Sequence, residues 1–159
     1  MHKFSVWVDA DSFPVLARKF LVEHSASKSV KVFFVANHEI KSDSHTVSMI
    51  VCQKEKDSAD NFIYEHCQPN DIVLTRDLLF AERLVQKKMT VMNDRGVVFD
   101  KDTIADKLRE RQFSLNLAEI GLGGGKENYY GEKELKKFSR SFDEELQKHI
   151  IADIYNVKS

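Results

Sequence analysis

The sequence predicts an α/β fold, a three-layer sandwich in which helices cover both faces of a mainly parallel central sheet of about five strands. Short β-branched and aromatic runs alternate along the chain with segments whose apolar residues recur at helical spacing. The short runs are apolar throughout, which is typical of parallel strands buried on both faces. With 159 residues, 42% of them hydrophobic, the chain can build one domain spanning residues 1–159.

The first predicted unit is a strand followed by a helix. FSVWV (4–8) has too little alternation for a half-exposed strand and therefore indicates a buried one. Pro14 then falls in the first turn of the helix VLARKFLVEH, where its missing N–H costs nothing. Ser12 or Asp11 is placed to cap that helix.

Four further strands and two helices complete the predicted sandwich. The strands are VKVFFVA (30–36), TVSMIV (46–51), DIVLT (71–75) and MTVM (89–92). The helices are the segment in which Ala59, Phe62, Ile63 and His66 keep helical spacing, and LLFAERLVQKK.

From about residue 101 the chain is predicted to be helical. TIADKLRERQ and FSLNLAEIG indicate two short helices, and GLGGGKENYYG a flexible loop after them. A last helix is predicted over about 132–150, with an apolar stripe that indicates core packing. The stripe comprises Leu135, Phe138, Phe142, Leu146 and Ile150.

Charge and cysteine content favour a cytoplasmic protein without a charge-driven partner. Lysine plus arginine (24) nearly cancels aspartate plus glutamate (25), so nucleic-acid binding requires a local patch. Cys52 and Cys67 lack CxxC spacing and are expected to be reduced thiols. The apolar run before Asp9 is too short for a signal peptide or a membrane span, so we expect a soluble protein that does not enter membranes.

Polar side chains follow the predicted strands at the point where each strand ends. In open parallel sheets, ligands bind beyond the carboxyl ends of the strands. The residues at those ends are Asp9 and Asp11, Asn37, Asp77, and Asn93. If strands one and four are neighbours, the aspartates that follow them converge in one cleft.

Asp57 and Asp60 lie three residues apart in KDSAD and therefore share a face at the start of a helix, from which either can close the cleft. Several carboxylates in one cleft repel one another unless a divalent cation occupies it. Oxygen ligands without a histidine or cysteine set favour Mg²⁺ or Mn²⁺ over Zn²⁺. The alternative for Asp11, Asp57 and Asp77 is simple helix capping. Four acids at strand ends exceed what capping requires.

Several motifs recur in the order found in a known family. They are VDADSFP, FVAN (34–37), DSAD (57–60), NDIVLTRD (70–77), MNDRG (92–96) and the RERQF…GLGGG tail. By them the chain resembles the uncharacterised YaiI/YqxD family of bacterial proteins over almost its whole length, to about residue 150. That family is grouped with PIN-like and NYN-type domains, which are metal-dependent nucleases with an acidic cleft. The resemblance therefore implies a PIN-like domain.

The resemblance also implies roles for individual residues. Asp9 matches the first-strand metal ligand, Asp57 the acid that opens a helix in NYN domains, and Asp77 the acid after the fourth strand. Asp60 and Asp11 are typical of the YaiI/YqxD pattern itself. We therefore expect metal binding by Asp9, Asp57, Asp60 and Asp77, and catalysis by Asp9, Asp11 and Asp77.

The sequence departs from the family pattern at several positions. Ser12 and Phe13 stand where the family usually has alanine and cysteine, which excludes a thiol mechanism at that turn. Leu79 occupies a position where NYN domains often carry a second aspartate. The glycine-rich loop lacks its usual proline, and Ala118 replaces the arginine before it.

A further set of residues is expected to contact nucleic acid or phosphate. It comprises Thr75, Asn37, Asn93, Arg95, Arg111 and Lys126. Thr75 matches the family's small hydroxyl residue, which can orient a carboxylate or a phosphate. Lys126 belongs to a basic cluster with Lys133, Lys136, Lys137 and Arg140, beside Tyr129 and Tyr130. The cluster suits a phosphate-backbone track. The interleaved glutamates favour an ordinary solvated helix face instead.

Three functions fit these observations. The favoured one is a Mg²⁺- or Mn²⁺-dependent nuclease acting on RNA or another single-stranded nucleic acid, in which the metal supplies the hydroxide. The second is a non-catalytic module that binds nucleic acid or metal in the same cleft. The third is an aspartyl phosphatase similar to haloacid dehalogenases, which also begin with a strand and DxD. Phe13 stands where those enzymes carry threonine or valine, and a late acidic pair is missing.

Overall fold

The computed structural model describes residues 2–122 and 129–155. Up to the fourth helix, strands and helices alternate except between the second and third strands, which a helix-free segment joins; the last two helices follow one another. In chain order they are β1 (Ser5–Asp9), α1 (Val15–Lys28), β2 (Lys31–Ala36), β3 (Val47–Val51), α2 (Ser58–His66), β4 (Ile72–Leu74), α3 (Leu78–Gln86), β5 (Thr90–Met92), α4 (Lys101–Glu119) and α5 (Glu132–Tyr155).

The sheet has five strands in the order β3-β2-β1-β4-β5, and every neighbouring pair is parallel. β1 is central and pairs with both β2 and β4. The chain adds β2 and β3 on one side of β1 and then crosses to add β4 and β5 on the other. The carboxyl ends of β1 and β4 thus flank the point where strand order reverses, and the predicted neighbourhood of strands one and four is confirmed.

Helices cover both faces of the sheet and make the predicted three layers. Because successive strand residues point to opposite faces, each strand contributes to two apolar cores. On one face, α1 and α5 pack against Val6, Val8, Phe34, Leu74 and Met92. On the other, α2, α3 and α4 pack against Trp7, Val35, Val73 and Val91. The predicted stripe on α5 is confirmed, with Phe138, Phe142 and Leu146 buried and Leu135 and Ile150 packed beside them.

The prediction of two short helices after residue 101 is wrong. A single helix, α4, runs through that segment because neither glycine nor proline interrupts it at Gln112 and Phe113. A capping box formed by Asp100 and Thr103 starts it. Gly121, with a φ of 76°, follows its end. The last helix is longer than predicted and ends at Tyr155.

The predicted cap of α1 is also wrong. Pro14 occupies the N-cap position, and no side chain caps the helix. The hydroxyl of Ser12 is directed back to Asp9 instead, at 3.5 Å. The carboxylate of Asp11 accepts the backbone N–H of Asn37 at 2.9 Å, so tertiary contact has taken Asp11 away from the helix start.

Asp71 joins β1 to the segment before β4 at the amino-terminal edge of the sheet. Its carboxylate accepts the backbone N–H of Ser5 at 2.8 Å, the indole N–H of Trp7 at 2.9 Å and the backbone N–H of Gln68 at 2.8 Å. The residue is only 4% exposed. Buried donors need acceptors, so this one side chain fixes the start of β1 against the start of β4.

The turn after β5 rests directly on α5. Gly96 has a φ of 81°, a left-handed conformation that suits glycine. A Cβ added at Gly96 lies 2.6 Å from the backbone oxygen of Lys137 and 2.7 Å from the hydroxyl of Ser141. The absence of a side chain therefore lets the turn approach the helix and places Arg95 beside it.

Replacement of Gly96 by alanine is expected to lower the free energy of unfolding by about 3 kcal/mol, because it adds a clash with helix backbone to the left-handed strain. Gly121→Ala is the matched control, since Gly121 has a φ of 76° with nothing within 4 Å of its added Cβ. That control is expected to lose about 1 kcal/mol. Urea unfolding measures both, and equal losses would contradict the close packing at Gly96.

Within residues 2–122 and 129–155, no helix has the length and apolar character that a membrane crossing requires.

Candidate metal centre

An acidic pocket of about 250 Å³ lies at the carboxyl ends of the central strands. It is formed by the ends of β1 and β2, the segment that follows β3, and the first turn of α2. The lining residues are Asp9, Asp11, Asn37, Gln53, Lys54, Glu55, Lys56, Asp57, Ser58, Ala59 and Asp60. The pocket thus occupies the edge of the sheet at which ligands bind in folds of this topology.

Three aspartates come close enough to share one ion. One carboxylate oxygen from each of Asp57, Asp60 and Asp77 lies within 4.8 Å of the others. Two short helices bring them together, because Asp57 precedes α2, Asp60 lies in its first turn, and Asp77 precedes α3. We call these three residues the acidic triad. Their separation in sequence is bridged by β4, which delivers Asp77 beside the start of α2.

Capping explains Asp77 only in part and does not explain Asp57. The Oδ1 atom of Asp77 accepts the backbone N–H groups of Leu79 and Phe80 at 3.0 and 3.1 Å, so this residue is the cap of α3. Both bonds end on Oδ1, which leaves Oδ2 for another ligand. Asp57 stands at the N-cap position of α2 but makes no side-chain cap bond, and its φ is 63°. Aspartate tolerates this conformation better than most residues.

Asp9 is linked to the triad through a buried threonine. The hydroxyl of Thr75 donates to Oδ2 of Asp9 at 3.0 Å, and its oxygen accepts the backbone N–H of Asp77 at 3.1 Å. Thr75 is fully buried. Of the two roles expected for this threonine, the structure therefore shows the contact with a carboxylate. The bond fixes the orientation of Asp9 relative to Asp77.

The electrostatics of the pocket disfavour further negative charge. Burial raises the pKa of Asp60 to about 7, with the charges of Asp9, Asp77 and Asp57 adding to the effect and Arg83 opposing it. Burial also raises the pKa of Asp9, and the charges of Asp11 and Asp77 act in the same direction. A buried carboxyl that faces three others is stabilised only by a proton or a cation.

Asp11 lies at the open side of the pocket. Besides the backbone N–H of Asn37, its carboxylate contacts Nδ1 of His38 at 3.0 Å. These contacts join the loop after β1 to the loop after β2. The side chain of Asn37 contacts His38 as well, so His38 has contacts with both Asp11 and Asn37.

The residues of the pocket fit a hard divalent cation. The triad offers oxygen atoms alone, at a mutual spacing that a single coordination sphere can span. No histidine or cysteine belongs to it, and this composition favours Mg²⁺ or Mn²⁺ over Zn²⁺. Burial and the neighbouring carboxylates raise the pKa of Asp60, and a cation bound there would oppose that rise. Asp9 is outside the group of mutually close oxygens but lines the pocket together with Asp57 and Asp60, whereas Asp77 is not among the lining residues.

Two lysines in the pocket were not predicted. Lys54 and Lys56 line it from the segment that leads into α2. The alternation of charge in KEKD, directly before Asp57, is the sequence signal that could have identified them. Ammonium groups beside a carboxylate cluster suit an anionic substrate such as a phosphate group.

Three of the other residues expected to bind phosphate, Asn93, Arg95 and Arg111, do not line the acidic pocket. Asn93 accepts the backbone N–H groups of Arg95 and Val97 at 3.0 and 2.9 Å and so forms the turn after β5. The guanidinium of Arg95 donates to the backbone oxygen of Tyr129 at 2.9 Å. Arg111 is exposed on α4. Lys126 and most of the glycine-rich loop lie outside the described residues.

The position that would distinguish an aspartyl phosphatase belongs to the core. Phe13, two residues after Asp11, is 3% exposed and packs edge-on against Phe138 at a centroid distance of 5.6 Å. A buried aromatic ring offers no polar group to a phosphoryl ligand. The structure therefore gives this alternative no support.

Comparison with known proteins places these features in a wider group. A model of the uncharacterised YaiI/YqxD family matches residues 7–148. The chain is 38% identical to a UPF0178 protein of Treponema denticola over 90% of the chain and 92% of the relative. It is 33% identical to one of Pseudomonas putida, over 87% and 93%. It is 32% identical to one of Psychromonas ingrahamii, over 91% and 96%. No solved structure matches the chain significantly.

Proposed function

This chain belongs to the YaiI/YqxD family, and from its acidic site we propose that it is a metal-dependent nuclease. It would use Mg²⁺ or Mn²⁺ to hydrolyse phosphodiester bonds in RNA or another single-stranded nucleic acid. One observation carries the proposal, namely the convergence of Asp57, Asp60 and Asp77 within 4.8 Å at the carboxyl edge of the sheet. The PIN-like relationship inferred from the sequence motifs supports it.

Each residue of the site has a role that follows from its contacts. Asp57, Asp60 and Asp77 would hold the ion, and Asp77 is fixed for this by two backbone N–H groups of α3. Asp9, held by the Thr75 hydroxyl, would complete the ligand set or orient the attacking water. A bound divalent ion polarises phosphate and lowers the pKa of water.

Three other side chains of the pocket would act on the substrate, on water or on a second ion. Lys54 and Lys56 would contact the non-bridging oxygens of the phosphate from the segment before α2. Asp11, at the open side, would orient water or bind a second ion, and its bond to Asn37 holds the loop after β2 in place.

A non-catalytic module that binds metal in the same pocket is the second candidate. It is favoured by Leu79, which is 58% exposed in the first turn of α3, where NYN domains often carry another aspartate. An apolar side chain there removes one carboxylate from the set that a second ion would need. The two candidates differ in chemistry but share the metal.

The deciding experiment combines cleavage and stability measurements on the full-length chain. The protein is incubated with end-labelled single-stranded RNA in Mn²⁺, in Mg²⁺ and in EDTA, while thermal unfolding is recorded under the same conditions. We expect cleavage with either ion and none in EDTA. An ion at about one hundred times its dissociation constant is expected to add about 2.7 kcal/mol of stability. Stabilisation without cleavage would support the binding module. If the ions neither stabilise the chain nor support cleavage, the proposed metal centre is wrong.

A further inference from the structure

A basic pocket lies beside the N-terminal half of α5, separate from the acidic one. It has a volume of about 820 Å³. Its lining residues are Arg95, Glu132, Lys133, Lys136, Lys137, Arg140 and Ser141. Five cations and one acid give this lining a formal charge of +4, although the whole chain has a net charge of −1. Such local concentration of charge creates an attractive field for an anion.

Helix geometry places the four cations of α5 in one row. Lys133, Lys136, Lys137 and Arg140 follow the spacing of three and four residues that defines one helix face. All four are exposed, whereas Phe138 and Phe142, on the adjacent face, are buried. Arg95 joins the row from the turn after β5, which Gly96 allows to rest on α5.

The acids interleaved with these cations do not neutralise them. Glu134 accepts the backbone N–H of Gly131 at 2.9 Å, and that bond holds the pKa of its carboxyl below the usual range. Glu145 pairs with Lys148 at 3.0 Å, one turn beyond the row. Within the described part of the chain, none of the five cations lies within ion-pair distance of a carboxylate. The sequence favoured a solvated face of balanced charge, but in the structure one acid, Glu132, lines the pocket against five cations.

The basic pocket and the acidic one adjoin the same carboxyl edge of the sheet, although α5 packs on one face of the sheet and α2 and α3 on the other. Arg95 follows β5, and Asp77 follows the neighbouring β4, so both leave the carboxyl ends of adjacent strands. Arg76 directly precedes Asp77, and its guanidinium contacts Asp94, the neighbour of Arg95, at 3.3 Å and donates to the backbone oxygen of Ser12 at 3.2 Å. The contacts of Arg76 thus link the turn that carries Arg95 to the end of β4, where Asp77 follows directly.

From this arrangement we propose that the basic pocket binds the sugar-phosphate backbone of a single-stranded nucleic acid and leads it to the acidic site. The inference rests on the proposed function, because it names where the substrate strand lies. From residue 133 to residue 140 the helix rises about 10 Å, which is about the length of three stacked nucleotides. Tyr129, 69% exposed and linked to Arg95 through its backbone oxygen, is placed to stack on a base at the edge of the pocket.

The test measures binding in EDTA, so that cleavage plays no part. A fluorescein-labelled single-stranded RNA is titrated with the full-length chain, and anisotropy is followed at several salt concentrations. The pocket variant carries Lys133→Gln, Lys136→Gln and Lys137→Gln. The control variant makes the same charge change at exposed lysines outside the pocket, Lys19→Gln, Lys101→Gln and Lys148→Gln. Urea unfolding of each variant verifies that the fold is retained.

We expect the pocket variant to lose at least about tenfold in affinity, and the slope of log K against log salt to fall by about 2, because three phosphate contacts disappear. The control variant should bind within about twofold of the wild type. Tyr129→Ala should cost about tenfold on its own if the ring stacks on a base. Equal binding by both triple variants would overturn the proposal, since affinity would then depend on net charge alone or on a binding site elsewhere on the chain.

Competition identifies the ligand class. Displacement of the RNA by unlabelled single-stranded RNA supports the proposal. Displacement by inorganic phosphate at equal phosphate concentration, or by polyglutamate at equal charge, overturns it in favour of a small-anion or acidic-peptide site.

A cleavage assay in Mn²⁺ separates this inference from the proposed function. A raised KM with unchanged kcat in the pocket variant supports both. Pocket-dependent binding without any cleavage refutes the nuclease and leaves the basic pocket as a binding surface. Cleavage with an unchanged KM in the pocket variant refutes the role of the basic pocket alone.

Discussion

An Asp60→Asn variant is expected to lose at least about a hundredfold in RNA cleavage while becoming more stable than the wild type in the absence of metal. Activity falls because the variant lacks one of the three carboxylates that converge within 4.8 Å. Stability rises because asparagine is nearly isosteric but uncharged, and so relieves the repulsion among the buried acids. The two effects have opposite signs, which a simple loss of folding cannot produce.

The stability gain should depend on pH in a defined direction. The pKa of Asp60 is about 7 in the folded chain, compared with the ordinary aspartate value of 3.8 that applies to the unfolded chain. Between these values the folded chain holds a proton that the unfolded chain releases, so the free energy of unfolding of the wild type falls as pH rises. Above pH 7 the loss is complete. Because a shift of about three pKa units corresponds to about 4 kcal/mol, we expect Asp60→Asn to exceed the wild type by up to about 4 kcal/mol at pH 8 and to match it near pH 4.

The control for this variant is Asp43→Asn, the same chemical change at an exposed loop position. It should alter neither cleavage nor the pH dependence of urea unfolding. Saturating Mn²⁺ should narrow or reverse the stability difference between Asp60→Asn and the wild type at pH 8. The bound ion stabilises the ionised carboxylates of the wild type, as the proton on Asp60 does at lower pH. Full activity in Asp60→Asn, or a stability difference that does not change with pH, would rule out the assigned role.

Asp71→Ala is expected to cause the largest loss of stability, about 4 kcal/mol, because it leaves the buried indole N–H of Trp7 and the partly buried backbone N–H groups of Ser5 and Gln68 without their acceptor. Such a loss approaches the whole stability of many domains. Urea unfolding measures it, and the fluorescence of Trp7, the single tryptophan of the chain, reports on the same contact. Asp71→Asn keeps one acceptor oxygen and should lose about half as much.

Asp100→Ala provides the comparison for Asp71→Ala. Asp100 also accepts a backbone N–H, from Thr103 at 2.8 Å, but it does so at the exposed start of α4. Water can replace that acceptor, so the loss should be about 1 kcal/mol. Similar losses in the two variants would mean that burial does not determine the contribution of Asp71.

The same residue type thus has opposite functions at the two edges of the sheet. At the amino-terminal edge, Asp71 meets three N–H donors, which satisfy its charge and make it a structural tie. At the carboxyl edge, Asp60 meets Asp9, Asp57 and Asp77, which oppose its charge. Satisfied carboxylates stabilise a fold, whereas unsatisfied ones destabilise it and indicate a ligand.

Local pattern was sufficient for most elements of the fold. Continuous apolar runs such as VKVFFVA identified buried strands, because parallel strands covered on both faces need apolar side chains in both directions. The predicted boundaries of an element differ from the observed ones where no local signal marks them. The α4 helix continues through Gln112 and Phe113 because the sequence offers nothing to stop it. The sequence predicts Asp11 as a possible helix cap, whereas in the structure its carboxylate accepts the backbone N–H of Asn37 from the loop after β2.

The sequence by itself determined the fold class, the positions of the strands and the placement of acidic residues after them, since these depend on side-chain type and spacing along a few residues. Only the tertiary structure decided that Asp57, Asp60 and Asp77 converge, that Asp71 ties β1 to β4, and that Arg95 joins the cations of α5. These contacts join residues far apart in the chain. Their formation depends on the strand order and on how helices pack across the sheet, which no local pattern specifies.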